Sequence, residues 1–297
     1  MEITLLIMAA GMGSRYGGSK QTDGFGPNGE LLVEYSIYDA LQAGFDKIVF
    51  VIRKHMEHKF NYKFGDKLKD KVKVVYAYQE NETLPDEFTP PPDRMKPYGT
   101  VHALISAKDH IHGPFAVINA DDFYGRNAFF AMYESLKTLL QTNSASMVGY
   151  YLRNTVSESG HVTRGICKLD EHGQLQEIEE TYWIIPREDG TIFDVQTSRT
   201  LNPNALVSMN FWGFTPWIFE SSQATLSQFL STLASDDMKS EFPLPLLIDK
   251  LIKENKLRVT VLDSASTWFG VTYQMDKPYV CEQLKLLHAY GIYPVQI

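Results

Sequence analysis

The chain opens on Ile3-Thr4-Leu5-Leu6-Ile7-Met8 and breaks at once into a loop carrying Gly11, Gly13, Gly17 and Gly18, with Arg15 and Lys20 among them. A short apolar run ended by glycines predicts a strand buried on both faces. Glycines let backbone N–H groups close on a ligand because no Cβ stands between, and the two cations would face whatever anion that backbone cradles. A polyphosphate is the simplest ligand of that shape. The plain structural alternative is a tight turn with solvated Arg15 and Lys20; four glycines beside two cations favour the cradle. Two familiar phosphate loops do not fit. The dinucleotide pattern G-x-G-x-x-G fails because Tyr16 stands at its third glycine, and the Walker pattern fails because Gly18-Ser19-Lys20-Gln21 puts serine before lysine and glutamine after it.

The rest of the first half alternates. Leu31–Ala43 has helical spacing and stops before Gly44, a C-cap. Lys47–Ile52, Val72–Tyr78, Phe115–Asn119 and Ser146–Tyr151 are strand-like, and His55–Phe64, Thr100–His110 and Asn127–Leu140 helix-like. This predicts an α/β fold, with a doubly wound, mostly parallel, Rossmann-like sheet that binds ligands at the carboxyl ends of its strands. The second half is more mixed. It predicts a hairpin of 165–170 and 175–180, strands at 191–195, 205–214 and 257–262, and helices at 222–234, 244–255 and 276–290. Five prolines make 81–98 a loop rather than a helix.

Composition narrows the class of partner. Hydrophobic residues make up 44% and charged residues 22%, ordinary for a globular chain. A net charge of −8 argues against binding nucleic acid through a global field, while leaving room for a local basic pocket. Cys167 and Cys281 stand alone, without the spacing of a zinc site, and the pairs His55/His58 and His110/His112 read as surface residues. No apolar run is long enough to span a bilayer, and Glu2 precedes the first run where a signal peptide would carry a basic residue. The expected location is the cytoplasm, with no membrane partner; oligomeric state is not encoded in any pattern here.

Ala9-Ala10-Gly11-Met12-Gly13-Ser14-Arg15 followed by Lys20 resembles the signature of the sugar-phosphate nucleotidyltransferases, the pyrophosphorylases that make nucleotide sugars: an apolar strand, (A/G)-G-x-G-(S/T)-R, then a lysine. Further segments resemble that family in order. Gln79, at a strand end, takes the place of the glutamine that reads the base. Tyr98-Gly99-Thr100-Val101-His102-Ala103-Leu104 resembles the G-T-x-x-A-L turn against the nucleobase. Val117-Ile118-Asn119-Ala120-Asp121-Asp122 resembles the strand whose aspartate holds Mg²⁺, with Asp121 in register and Asp122 its neighbour. The alternative for these two carboxylates is a helix N-cap.

The second half departs from the pattern. Glu179-Glu180 resembles a Glu-Lys pair contacting the sugar, with Thr181 in place of the lysine. Ser208–Phe214 resembles the strand lining the sugar pocket, with Asn210 in place and Trp212 where a small residue is usual. Thr267–Thr272 resembles W-x-D-x-G-T, whose aspartate is a second metal ligand; Gly270 stands in its position, and Asp122, Asp263 and Asp276 are candidates to replace it. The tryptophans themselves are expected in the core.

The resemblance implies a single glycosyltransferase-A-like nucleotidyltransferase domain over 1–297, with a nucleotide-binding half (1–151) and a mixed α+β acceptor-binding half (152–297). It implies an Mg²⁺-dependent enzyme that transfers a nucleoside monophosphate from a nucleoside triphosphate to a phosphorylated small acceptor, with a sugar 1-phosphate expected, releasing pyrophosphate. Arg15 would hold the β- and γ-phosphates, and Lys20 would bridge the α-phosphate and the acceptor. Ala9, Ala10, Gly11, Gly13, Ser14, Gln79, Gly99 and Thr100 would bind nucleotide, Glu180 and Asn210 the acceptor, and Asp121 and Asp122 the metal. The missing carboxylate at Gly270 motivates an alternative, a non-catalytic nucleotide or nucleotide-sugar binding protein on the same fold. A Rossmann oxidoreductase is disfavoured, because the second strand ends in Arg53-Lys54 and not in an acidic residue.

Overall fold

The computed structural model describes residues 1–11, 24–139 and 143–297. Strand β1 (Thr4–Met8) is buried along its whole length, as is β2 (Lys47–Ile52). Between them helix α1 (Leu32–Ala43) ends at Gly44, whose φ of 109° closes the cap. The helix expected over 55–64 is a broken one: α2 (Glu57–Phe60), a π-helical turn at Asn61–Gly65, and α3 (Asp66–Leu68). Its apolar anchors Phe60, Phe64 and Leu68 recur every fourth residue and all pack in one core. A regular helix of about 3.6 residues per turn would rotate them progressively off that face, and the wider π turn brings them back. Then come β3 (Lys73–Tyr78), the proline-rich loop, α4 (Thr100–Ser106), β4 (Phe115–Asn119), a two-residue strand β5 (Asp122–Phe123), α5 (Arg126–Thr138) and β6 (Ser144–Tyr151).

The second half begins with the expected hairpin, β7 (Val162–Leu169) and β8 (Leu175–Pro186), extended by β9 (Ile192–Asp194) and β10 (Arg199–Leu201). Strand β11 (Leu206–Phe214), helices α6 (Ile218–Ser231) and α7 (Leu244–Lys253), β12 (Arg258–Asp263), β13 (Phe269–Gly270) and α8 (Lys277–Ala289) complete the described chain.

Eleven of these strands form one sheet, while β5 and β13 pair separately. Its central part runs β3-β2-β1-β4-β11-β6-β12, and all but β11 point the same way. The antiparallel strands β7 to β10 attach at the start of β11, where Val207 and Ser208 pair with Ile166 and Gly165. Alternating side chains serve opposite faces. Leu5 and Ile7 of β1 join α1, α5 and the broken helix in one core, while Leu6 and Met8 join α4, α6 and α7 in the other. The sheet is thus doubly wound. Short parallel crossovers leave the carboxyl ends of β1, β2, β3 and β4 together on one rim.

Two tryptophans part company. Trp212 is fully buried, but Trp183 is 53% exposed, stacked on His161 with ring centroids 4.1 Å apart. The expected core position fails because β8 carries an extra residue there. Val162 pairs with Ile184 and Arg164 with Thr181, and this bulge drives Trp183 to a φ of 58° and turns its ring outward.

The carboxyl-terminal segment is bound to the first half by a buried polar contact. Asp39 of α1 accepts hydrogen bonds from Tyr293 Oη at 2.5 Å and from Arg126 Nε at 3.1 Å. Burial pushes the Asp39 carboxyl up to about 6, outweighing the Tyr293 hydroxyl and the Arg126 charge, which pull it down. The folded chain therefore holds this proton where the unfolded chain has lost it, and stability falls as pH rises from about 4 to about 6, by on the order of 3 kcal/mol. Asp39→Asn is expected to flatten that slope while lowering stability at the acid end, where the protonated carboxyl is well accommodated. Denaturant titrations at several pH values measure both effects; an unchanged slope would show that Asp39 does not titrate in this window.

Candidate active site

The rim at the strand ends brings together residues far apart in sequence. The β1 ladder continues past its strand: Ala9 N donates to Val51 O at 2.8 Å and Ala120 N to Met8 O at 3.0 Å. Ala9 and Ala10 are buried and Gly11 is exposed. The residues that follow, including Gly13, Ser14, Arg15 and Lys20, lie outside the described residues. Gln79, 4% exposed, directly follows β3 and donates from Nε2 to Gly99 O at 2.9 Å. The long insertion between these two therefore returns the chain to the same point. Gly99 sits at the start of α4 with φ 92° and ψ −172°, where a Cβ would lie 2.6–2.8 Å from the backbone of Phe242. Thr100 Oγ1 accepts the Leu244 N–H at 2.6 Å, so that hydroxyl docks α7 onto α4. Arg53, at the end of β2, pairs with Glu80 at 2.8 Å.

Asp121 and Asp122 follow β4. The N-cap of α5 is Gly125, so neither aspartate has the capping role. Asp121 is partly exposed and Asp122 is 7% exposed. Asn119 Nδ2 donates to Asp122 Oδ2 at 2.9 Å, and Asn210 Nδ2 donates to Asn119 Oδ1 at 2.7 Å. Trp212 Nε1 in turn donates to Asn210 Oδ1 at 3.1 Å. This relay ties the wall of the second half to the carboxylate of the first. Asn210 reaches it because β11 is irregular between Ser208 and Trp212, and Asn210 itself has φ 63°. Tyr124 Oη, fully buried, accepts the Asn119 N–H and donates to Met209 O, both at 3.0 Å. Asn119 and Tyr124 were not among the sequence candidates. Asn119 lies three residues before Asp122, but only the turn after β4 folds its amide back onto that carboxylate.

Gly270 pairs across the small sheet with Asp122, as Phe269 does with Phe123. A Cβ on Gly270 would lie 2.6 Å from Asp122 Oδ1 and 2.8 Å from the Trp268 ring. Asp122 therefore occupies the space a side chain at 270 would need. The other two candidates are committed elsewhere: Asp276 accepts from Ser157 Oγ and from the Thr272 and Tyr273 amides, and exposed Asp263 accepts from the Ala265 amide.

On the facing wall, Glu180 pairs with Gly165, which pairs with Ser208. Burial raises the Glu180 carboxyl above its usual range and Arg164 partly opposes the shift. Thr181 lies directly across the β7–β8 ladder from Arg164. A cation thus stands on the neighbouring strand at the rung where the sequence pattern lacks one. The register of a hairpin with a bulge, which no single-strand motif contains, was the missing signal. Cys167 is no candidate nucleophile, since burial pushes its thiol up to about 12.

Chemically, the described part of the rim suits a divalent cation. Carboxylate oxygens at a strand end are hard donors of the kind a divalent cation takes, and the Asn119 amide orients one of them. Among the described residues no group of three or more His, Cys, Asp or Glu side chains is arranged to hold a metal unaided. A cation here would draw further ligands from phosphate oxygens, which suits Mg²⁺. Among the described residues no helix is long and apolar enough to cross a membrane.

Known proteins share this fold. Solved structures with the same fold include a Bacillus anthracis protein designated a glucose-1-phosphate thymidylyltransferase, in complex with sucrose. It is 13% identical, with 95% of each chain covered and a TM-score of 0.62. A UDP-glucose pyrophosphorylase complexed with UDP-glucose is 20% identical, covers 98% of this chain and 99% of its own, and has a TM-score of 0.56. The inositol-1-phosphate CTP transferase from T. maritima is 12% identical, with 95% and 96% covered and a TM-score of 0.57. No curated protein matches the chain significantly. The family model of the nucleotidyl transferases matches residues 5–181, more than half of the chain, from β1 to the Glu180 rung. By that match, the chain belongs to the nucleotidyl transferase family.

Proposed function

We propose that the chain transfers a nucleoside monophosphate from a nucleoside triphosphate to the phosphate of a small acceptor, a sugar 1-phosphate, with release of pyrophosphate. The observation that carries this reading is the convergence of Gln79, Gly99, Asp121 and Asp122 beside Ala9 and Ala10 at the end of β1, in a chain of this family whose fold is shared with proteins designated a glucose-1-phosphate thymidylyltransferase and an inositol-1-phosphate CTP transferase. The nucleotide is assigned to 1–151 and the acceptor to 152–297, including Glu180 and Asn210. The enzyme is read as cytoplasmic and Mg²⁺-dependent.

An acceptor phosphate oxygen attacks the α-phosphorus in line with the departing pyrophosphate, and charge spreads over the non-bridging oxygens. Such a reaction is driven by positioning and electrostatics. The backbone after β1 and Arg15 would clamp the β- and γ-phosphates, and Lys20 would hold the two reacting phosphates together against their repulsion. Gln79 and the Gly99 turn would receive the base, and Thr100 supports that turn through its bond to α7. A bound Mg²⁺, held by Asp121 and Asp122, would neutralise charge on the phosphates. No general base is required, because a phosphomonoester is already ionised near neutral pH. The lack of a carboxylate at Gly270 motivated a binder without turnover; Asp122, whose Oδ1 fills that space, weakens the motive.

A matrix of nucleoside triphosphates against acceptor phosphates, read by pyrophosphate release with Mg²⁺, tests the reaction. Silence across the matrix together with no triphosphate binding by calorimetry would overturn it; binding without any turnover would favour the binder. Lys20→Ala is expected to cost about a hundredfold or more in kcat/KM with an unchanged circular dichroism spectrum. An undiminished rate would remove Lys20 from the chemistry.

A further inference from the structure

We infer that Arg94 is a positioning residue for the nucleobase: through its guanidinium, the proline-rich insertion fixes the Gly99 turn against Gln79. This inference rests on the reading above that Gln79 and the Gly99 turn receive the base. Those two residues touch directly, Gln79 Nε2 donating to Gly99 O at 2.9 Å, although they stand 20 positions apart. A tight turn could join them. The excursion over 80–98 is therefore not needed to close the gap, and ordering it costs conformational entropy. What the excursion brings to this point is a buried arginine.

Arg94 is 6% exposed, and its guanidinium bridges two chain segments. Its Nε donates to Lys96 O at 2.9 Å and its Nη2 to Pro97 O at 3.4 Å, both on the segment leading into Gly99. Nη2 also donates to Ser240 O at 2.5 Å, and Nη1 to Asp237 O at 3.0 Å and Asp237 Oδ1 at 2.8 Å, all on the connection between α6 and α7. The guanidinium carbon lies 3.8 Å from the centre of the ring of Tyr98, the residue before Gly99. A planar, rigid fork so engaged sets the separation of the two segments. Two residues beyond Pro97 and Ser240 those segments meet, at Gly99 and Phe242. There Phe242 N donates to Tyr98 O at 3.0 Å and Val101 N to Phe242 O at 3.2 Å. The carbonyl that Gln79 grips is thus located by the arginine five positions earlier.

The rest of the insertion is pinned more weakly. Arg53, at the end of β2, pairs with Glu80 at 2.8 Å and donates to Met95 O at 3.4 Å. Lys96 Nζ reaches Glu241 at 2.9 Å, but both side chains are exposed, and such pairs contribute little. The Arg94 side chain, by contrast, is out of water, where a charge-assisted bond is strong. Its counter-charge is secure. Asp237 accepts from Ser240 Oγ at 2.7 Å and from the Ser240 and Lys239 amides at 2.8 and 3.0 Å. The Ser240 bonds foremost, with Lys239 N and Arg94, hold that carboxyl down to about 2, so it is ionised near neutral pH. Arg94 acts on the Gln79–Gly99 contact and not on the Ala9–Ala10 segment after β1, so its influence falls on the base and not on the phosphates.

The test compares, by calorimetry on the full chain with Mg²⁺, the nucleoside triphosphate the wild type binds best with inorganic tripolyphosphate, which carries the phosphates without a base. Each variant is measured well below its Tm. Arg94→Met is expected to weaken the nucleoside triphosphate about tenfold, to leave tripolyphosphate affinity unchanged, and to raise triphosphate KM more than it lowers kcat. Arg94→Lys keeps a charge opposite Asp237 but cannot reach both segments with one ammonium, and is expected to recover part of that loss. Asp237→Asn leaves the carbonyl contacts in place and is expected to cost about threefold; it stays informative if Arg94→Met fails to fold. Folded variants that keep the wild-type ratio of the two affinities overturn the inference whatever their Tm, because a purely structural clasp lowers Tm and leaves that ratio alone. A wild type that binds the nucleoside triphosphate no more tightly than tripolyphosphate would instead remove the base from Gln79 and the Gly99 turn, sinking the reading beneath the inference and the inference with it.

Discussion

Gly99→Ala is expected to destabilise the chain by about 3–5 kcal/mol, which for a chain of this size lowers Tm by roughly 10 °C. Gly99 combines φ 92° with ψ −172°, a region that residues with a Cβ scarcely populate. The clash adds to the strain. The new methyl would meet Phe242 O, N and C at 2.6, 2.7 and 2.8 Å, and all three are backbone atoms that cannot rotate away. Relief requires the α6–α7 connection to retreat, which breaks the hydrogen bonds from Phe242 N to Tyr98 O and from Val101 N to Phe242 O. Because Gln79 is anchored on Gly99 O, the same shift loosens the proposed base site. Thermal unfolding measures the first effect, and triphosphate calorimetry the second. A fully stable Gly99→Ala chain would mean that the backbone at Gly99 relaxes at little cost.

Asp122→Gly is expected to cost about a hundredfold or more in kcat/KM and to weaken Mg²⁺ activation, if Asp122 carries the charge that position 270 lacks. Gly270→Asp alone is expected to do harm and not to improve the enzyme. Its Cβ would crowd Asp122 Oδ1 and the Trp268 ring at 2.6 and 2.8 Å, an overpacking cost of about 1–3 kcal/mol, with two carboxylates opposed across one rung. The double variant, Asp122→Gly with Gly270→Asp, moves the carboxylate to the other strand of the same rung. It is expected to recover at least about tenfold over Asp122→Gly, because like and neighbouring groups couple strongly at contact distance. Activity and isothermal titration against Mg²⁺ read all three variants. No recovery in a folded double variant would mean that the location of the carboxylate, and not merely its presence near the rung, is decisive.

Much of the framework was legible in the residues because it depends on local properties. Apolar runs such as Lys47–Ile52 and Phe115–Asn119 coincide with their strands, and Gly44 ends α1 as its lack of a Cβ permits. The alternation of strands and helices implied a doubly wound sheet before any contact was known. The phosphate-loop signature and the order of Gln79, Gly99 and Asp121 were equally visible, since each is a short motif. The departures at Thr181 and Gly270 were visible only as gaps. What stands opposite them, Arg164 and Asp122, depends on strand register, which a bulge in β8 and a two-residue strand pair decide. Trp183 and Trp212 show the same limit: identical side chains, one driven outward by that bulge and the other sealed in the core.

By itself, then, the sequence determined the class of fold, the buried strands and the family, because apolar patterning, glycine conformation and short motifs act within a few residues. The tertiary structure decided how β11 enters reversed between β4 and β6, how Gln79 regains Gly99 across a long insertion, and which carboxylate and which arginine face the gaps at Gly270 and Thr181. Those outcomes follow from register and long-range packing, in which a side chain's partner is set by the strand beside it and not by its neighbours in the chain.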